Sequence, residues 1–274
     1  MPAKPHDFTG IDWESSEVAE RRNRGRSRRG EIQGPATQMM LDLAEVRTGS
    51  RVLDVAAGTG DQTLMAAQRV GPTGYVLATD ISASMLKLAA DAAREAGLTN
   101  VETRVMDARN LDLDPDSFDA VICQLGLMVF PGPAEVLAAM RRVVRIDGKI
   151  ATLVFSTAER NPYQGVTLAV ARHLGSPTPP LFSLGEADVL EKTFSASGLR
   201  NVIVQAVNFR RHYPSTAEMM RRLKEGAFLR ASIEKLDEPE REQAWAEIER
   251  QLGRLEGPNG VDMPGEFLIA VGTK

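Results

Sequence analysis

Three aspartates and a pair of glycines in the first half of this chain have the types and spacing to hold an adenosine. The run Asp54-Val-Ala-Ala-Gly58-Thr-Gly60-Asp61 puts a carboxylate four residues ahead of a Gly-x-Gly turn. Glycines there let backbone approach a ligand with no Cβ in the way, and a helix starting just beyond offers free N–H groups. Asp80 stands 26 positions after Asp54, and an acidic side chain so placed accepts the ribose hydroxyls in dinucleotide-binding folds. Asp107-Ala108 offers a side-chain oxygen and a backbone N–H suited to the exocyclic amine and ring nitrogen of adenine. Each feature has a plainer reading: a tight turn, a dipole-complementing aspartate before the helix at Ser82, a loop aspartate. In this order on one chain they point together to adenosine.

The adenosine carrier is narrowed by what surrounds the glycines. A nicotinamide site calls for Gly-x-Gly-x-x-Gly/Ala, and Thr63 holds the third position here. No lysine of a nucleoside-triphosphate loop follows. The departure at Thr63 is tolerable for S-adenosylmethionine, which has no pyrophosphate to cradle. The alternatives are a non-catalytic or regulatory S-adenosylmethionine-binding protein and a nicotinamide-dependent oxidoreductase.

These residues need strands to carry them, because ligands of open parallel sheets bind at the strands' carboxyl ends. Arg51 to Ala56, Tyr75 to Thr79, Val101 to Met106, Asp119 to Leu125 and Lys149 to Phe155 read as strands. Helices alternate with them: Asp61 to Val70, a segment after Ser82 that buries Met85, Leu86, Ala89 and Ala93 and stops at Gly97, and Ala134 to Arg145. Such alternation means βαβ units and a doubly wound, mostly parallel sheet. A first helix is expected from Gly34-Pro35, with Met39, Met40, Leu43 and Val46 on one face. Further on, helices are expected at Asn161 to Leu174, Glu186 to Ser197, Thr216 to Arg230 and Glu238 to Leu255. A rigid loop (Ser176 to Pro180), a turn (Gly257 to Gly260) and strands at Val202 to Phe209 and Phe267 to Val271 complete the pattern.

The stretch Val52-Leu53-Asp54 to Asp61, the run Asp80-Ile-Ser-Ala-Ser-Met85-Leu86, Asp107-Ala108, Ser117-Phe118-Asp119 and the Phe155-Ser156 strand end resemble the UbiE-like class I S-adenosylmethionine-dependent methyltransferases of ubiquinone and menaquinone biosynthesis. The likeness is dense from Ala36 to Pro162 and thinner beyond. It implies a Rossmann-like α/β fold with a seven-stranded sheet and methyl transfer to a small molecule. It implies that Asp54 and the Gly58–Gly60 loop, with Ala56 and Asp61, hold the methionine moiety. Asp80 would hold the ribose, Ile81 and Met85 would flank the adenine, Asp107 and Ala108 would read its edge, and Gln124 and Leu125 would lie beside the sulfonium. The chain departs from the family in one turn, where Arg145-Ile146-Asp147-Gly148 replaces a Pro-Gly-Gly type; this should change local geometry only.

Composition sets the outer limits. The chain has 274 residues, a net charge of −4 and one cysteine, Cys123. That balance argues against nucleic acid as a partner, and Asn161-Pro162-Tyr163 lacks the second proline and the position of a DNA amino-methyltransferase motif. No run of about 20 apolar residues suggests a membrane span, and a polar N-terminus suggests no secretory leader. A cytoplasmic protein with a small-molecule substrate is expected, and a homodimer is compatible. No His/Cys/carboxylate cluster has metal-ligand spacing. His6, His173 and His212 are expected to be structural, and no catalytic base is assigned.

Two segments exceed a minimal methyltransferase sheet. Residues 1–34 form an expected lid that carries Trp13 and six arginines between Arg21 and Arg29. Such a run reads first as a solvated, mobile segment and second as a wall facing an anionic or planar acceptor. The other segment is a helical insertion over about 210–260 within the 35–274 domain, with Met219, Met220, Leu223, Ala227 and Phe228 at near-helical spacing. Together they should cover an apolar acceptor pocket beside Gln124. Removing residues 1–30 should abolish transfer and leave cofactor affinity nearly intact.

Overall fold

A computed structural model describes residues 12–173, 180–225, 233–234 and 236–274. His6, Leu174, residues 176–179 of the expected loop, Ala227, Phe228 and Arg230 lie outside them.

Five strands run parallel: β1 (Arg51–Val55), β2 (Tyr75–Asp80), β3 (Val101–Val105), β4 (Phe118–Gln124) and β5 (Val144–Phe155). Their apolar runs are buried on both faces, as a central parallel sheet requires: Val52, Leu53, Val55, Val121, Ile122 and Leu153 have no exposed surface. Two long strands, β6 (Arg200–Tyr213) and β8 (Gly260–Thr273), add an antiparallel ribbon, β8 pairing with both β5 and β6. The order is β3-β2-β1-β4-β5-β8-β6, and the two-residue β7 (Glu256–Gly257) hooks onto β8. The expected seven strands are thus present, with β7 as a small addition.

Successive crossovers move outward from β1 to β3, then jump back to β4 and run the other way. Right-handed crossovers therefore divide the helices between the faces: α3 (Asp61–Val70) and α4 (Ala83–Glu95) on one, α5 (Pro133–Val143) and α7 (Ala187–Ala196) on the other. The reversal point lies between β1 and β4, and a crevice opens there.

Ser82 caps α4 as expected, its hydroxyl accepting from the Met85 N–H at 3.2 Å. Three boundaries differ from expectation. The chain before Gly34 is helical, as α1 (Ser16–Arg24) and α2 (Arg26–Leu43), and Pro35 sits inside α2 rather than at its start. Proline disfavours a helix interior by about 3 kcal/mol, and packing of Ala36, Met40 and Leu41 into the core offsets this. The expected turn at Arg145–Gly148 is absorbed into β5 as an irregularity, with Asp147 at φ +62°. Strands β6 and β8 exceed their apolar centres, because pairing with each other satisfies their backbones beyond the main core.

That extension carries a second hydrophobic cluster. Tyr213, Val261 and Met263 on the ribbon pack with Met219, Met220 and Leu223 of α8 (Thr216–Glu225). Ala244, Ile248 and Leu252 of α9 (Glu238–Gly253) join them, as do Val170 and Ala171 of α6 (Pro162–His173). The methionines of α8 mainly bury their own helix, and α6 belongs to this cap.

Candidate functional site

A cavity of about 330 Å³ lies over the carboxyl ends of β1, β2 and β4, within the usual range for small-molecule sites. It has two ends. One is walled by Ala56, Gly58, Asp80, Ile81, Met85, Asp107 and Ala108, and the other by Phe130, Phe155, Tyr163, Leu168, Leu181 and Arg211, with Gln124 and Leu125 also on the wall.

At the first end the loop after β1 is bent tightly. Ala56 has φ +56° and Gly58 φ +57°. Leu125, closing β4 beside it, has φ +55°. Left-handed backbone at two non-glycine residues costs about 1–2 kcal/mol each, and such conformations cluster at binding sites. A Cβ at Gly58 would point toward Met85 Sδ, 3.8 Å away, and Arg22 Nη2, 4.0 Å away, filling the crevice. Gly60 has another reason: a Cβ there would meet Ala89 Cβ at 2.7 Å, so it lets α3 approach α4.

The two strand-end aspartates divide their roles. Asp80 lines the cavity, accepting from the Gly58 N–H at 2.8 Å and the Ser82 N–H at 2.9 Å. Burial pushes its pKa up, and those N–H groups and Arg22 pull against it. Asp54 has no exposed surface and is not on the cavity wall. It accepts from Thr63 Oγ1 at 2.5 Å and Gln62 Nε2 at 3.0 Å, beneath the loop, and burial raises its pKa to about 7. Thr63, which stands where a nicotinamide site has glycine, is thus the anchor of that carboxyl. Asp107 lines the cavity and accepts from Arg109 Nη2 at 2.7 Å.

The arginine run is not the solvated segment expected of it. Arg26 Nε lies 3.3 Å from Asp61 Oδ1, and Arg29 Nη2 lies 2.7 Å from Asp61 Oδ2. Arg29 also donates to Thr59 Oγ1 at 2.9 Å, and Arg26 to the Thr59 carbonyl. These contacts bind the glycine loop, and they occupy Asp61, which stays off the cavity wall with Gly60. Arg22 lines the cavity with Trp13, Arg29 and Gln33. Its Nε is buried with no hydrogen-bond partner, and burial, with repulsion from Arg29, lowers its pKa to about 10. On α2 the positions 26, 29 and 33 share one helical face, a spacing that marks an inward side despite the charge.

Gln124, only 7% exposed, accepts from Thr37 Oγ1 at 2.7 Å and donates to Gln33 Oε1 at 3.2 Å. Of the histidines, His212 faces away from the cavity and meets Asp262 at 3.0 Å, its side chain 54% exposed. His173 ends α6. Asn161 is wholly buried and ties the start of α6 to the backbone of Thr157 and Glu266. Arg22 belongs to the run whose second reading was a wall, whereas sequence reasoning did not single out Gln33, Thr79, Met106, Gly126, Phe130 or Arg211 as wall residues.

A model of the ubiE/COQ5 methyltransferase family matches residues 36–173, half of the chain. The chain is 42% identical over 117 residues to a ubiquinone/menaquinone biosynthesis C-methyltransferase UbiE of Pseudomonas savastanoi pv. phaseolicola. That alignment spans 42% of this chain and 46%, about half, of the relative. Among solved structures, the YcgJ protein of Bacillus subtilis superposes with a TM-score of 0.61 at 19% identity, covering 88% of this chain and 98% of that one. The phosphoethanolamine N-methyltransferase 2 of Haemonchus contortus, solved with S-adenosyl-L-methionine, gives 0.61 at 16%, covering 99% of this chain and 60% of that one. At such identities these two structures speak to the fold alone. The family match takes in β1 to β5 and α6, and leaves α1, β6, α8 and α9 outside it.

Proposed function

Because this chain belongs to the ubiE/COQ5 methyltransferase family, we propose that it moves the methyl group of S-adenosylmethionine onto a small-molecule acceptor held at the far end of the cavity. One observation carries the cofactor reading. Arg22, whose Nε has no hydrogen-bond partner, and Asp80 both line the crevice at Gly58. A cofactor with a carboxylate at one end and ribose hydroxyls nearer its middle suits that pair. Burial without a partner is costly for a charge, and the cofactor's carboxylate would relieve it.

S-adenosylmethionine held there would supply a methyl group on a sulfonium to an electron pair of the acceptor, with the neutral thioether as leaving group. The chain's own residues bind, orient and keep out water. Asp80 holds the ribose, Ile81 and Met85 flank the adenine, and Asp107 with the Ala108 N–H reads its edge. Gln124, fixed from both sides by Thr37 and Gln33, marks the passage between the two ends. Leu125, Met128, Phe130 and Phe155 make that passage apolar. Positioning of this kind supplies on the order of 7–11 kcal/mol in favourable cases, and water exclusion protects it. No residue is assigned as a base, and the chemistry requires one only if the acceptor must lose a proton.

The named Pseudomonas relative is a C-methyltransferase of quinone biosynthesis, so an electron-rich ring carbon falls within the proposed acceptor range. The net charge of −4 favours a small molecule over nucleic acid as partner, and no helix among the described residues is long and apolar enough to cross a membrane. The test is a mass-spectrometric screen of phenols, quinols, amines and aromatic acids with the purified protein. Cofactor-dependent mass gain on one acceptor class supports the reading. Tight cofactor binding with no turnover on any class would instead favour a non-catalytic binding protein.

A further inference from the structure

Four side chains at the acceptor end form a column in which two stacked rings lie between two cations. The Arg28 guanidinium from α2 lies 4.4 Å over the ring of Tyr213. Tyr213 stacks on Tyr163 of α6, with centroids 6.1 Å apart and planes 7° from parallel. Arg211 lies 4.9 Å over the other ring of that pair, Tyr163, and 5.0 Å from Phe209. Strand alternation puts Phe209, Arg211 and Tyr213 on one face of β6, and Arg211 and Tyr163 open onto the cavity.

Arg211 is deeply set, and burial lowers its pKa, yet no carboxylate among the described residues pairs with it. The acids nearest in register are committed: Asp262 faces His212 at 3.0 Å, and Glu266 accepts from Ser156 Oγ at 2.7 Å and lies 3.8 Å from Arg160. Gln164, with its amide turned to satisfy both groups, accepts from Nη1 and Nη2 at 2.9 Å. A guanidinium has five N–H groups, so the remainder have no acceptor among the described residues. A second cation, Arg28, adds repulsion rather than relief. Buried arginine is ordinarily paired, and here the partner is missing from a face that looks into a cavity.

We propose that Arg211 is a specificity-determining residue that holds the carboxylate of the acceptor, whose body is apolar and lies among Phe130, Phe155, Leu168 and Leu181. This rests on the methyl-transfer reading of the same cavity. A planar carboxylate matches the open edge of a guanidinium clamped between two rings, with two parallel N–H donors. Arg28 stands behind Tyr213 and is not on the cavity wall, so Arg211 is the cation beside the apolar side chains of this end. Arg211 lies outside residues 36–173, so the family match does not extend to the residue proposed to hold the carboxylate.

Calorimetric titration of the full-length protein with 2-naphthoate and with its neutral isostere 2-naphthamide, each with and without S-adenosylhomocysteine, reads the preference. The acid should bind at least about tenfold more tightly than the amide. Arg211→Gln should bring the two within about threefold, and Arg211→Lys should keep the acid preferred. Arg211→Met, which keeps the aliphatic stem between the rings, serves if Arg211→Gln does not fold. A merely structural arginine would lower the melting temperature and leave the acid-to-amide ratio alone. Equal binding, preference for the amide, an acid preference that survives both neutral variants, or no binding of the acid at millimolar concentration overturns the proposal. Failure of S-adenosylhomocysteine to bind would overturn the methyl-transfer reading and leave the ratio standing.

Discussion

The Thr37 hydroxyl donates to Gln124 Oε1 at 2.7 Å across 87 residues of sequence. The last side chain of β4 is therefore set by the N-terminal helix α2, which also sends Gln33 to the same amide. With Arg26 and Arg29 on the glycine loop and Arg22 in the crevice, the N-terminal helices wall the cofactor end of the cavity and the passage at Gln124. Deleting residues 1–30 should then weaken S-adenosylhomocysteine binding as well as stop methyl transfer. The sequence-based expectation of near-intact cofactor affinity is revised on this point. Calorimetry on the truncated chain checks it, and unchanged affinity would contradict this placement of the arginines.

Arg22 makes a sharper prediction, because its partner would be one end of the cofactor. Arg22→Ala should weaken S-adenosylhomocysteine binding by about tenfold or more, a charge-assisted hydrogen bond contributing about 1.5–3 kcal/mol. Adenosine, which lacks the carboxylate, should bind the variant and the parent alike. Equal loss for both ligands would mean that Arg22 supports the loop and does not touch the cofactor.

Asp80 and Gly58 should behave differently from Arg22. Asp80→Ala removes the ribose acceptor and the anchor of the Gly58 N–H, so adenosine and S-adenosylhomocysteine should both lose about tenfold or more. Gly58→Val places a branched side chain toward Met85 and Arg22 at φ +57°. It should abolish binding while the melting temperature falls only modestly. Retained affinity in either variant would place the cofactor elsewhere.

Asp54 predicts a pH dependence of stability rather than of binding. Its carboxyl titrates near 7 when folded, against 3.8 ordinarily, because burial disfavours the charge. Between those values the folded chain holds a proton that the unfolded chain has released. Its contribution is complete below about pH 4 and is lost as pH rises through about 7, on the order of 4 kcal/mol at most. Asp54→Asn, neutral at every pH, should flatten that slope. Urea midpoints of both proteins from pH 5 to pH 8 decide it, and parallel curves would show that the carboxyl is ionised throughout.

Much of this was legible in the chain, and the misses have physical causes. Strand ends at Asp80, Asp107 and Gln124 could be found because apolar runs locate strands and sheet topology locates ligands. Asp54 and Asp80 look alike in sequence, yet Thr63 and Gln62 draw one beneath the loop while backbone N–H groups hold the other at the cavity. Arginines 22, 26 and 29 read as solvated because charge usually means exposure. For Arg26 and Arg29 the helical spacing to Gln33 was the better signal, and Pro35 obscured it by suggesting a later helix start. Arg211 was hidden because its meaning depends on Tyr163, 48 residues earlier, and on the acids across the ribbon being occupied.

The most direct test of the account is a calorimetric comparison of ligands on the purified full-length protein. S-adenosylmethionine and S-adenosylhomocysteine should bind tightly with one site per chain, and NAD and ATP should show no comparable heat. Preferential binding of NAD, or none of the sulfur-bearing cofactors, would contradict it.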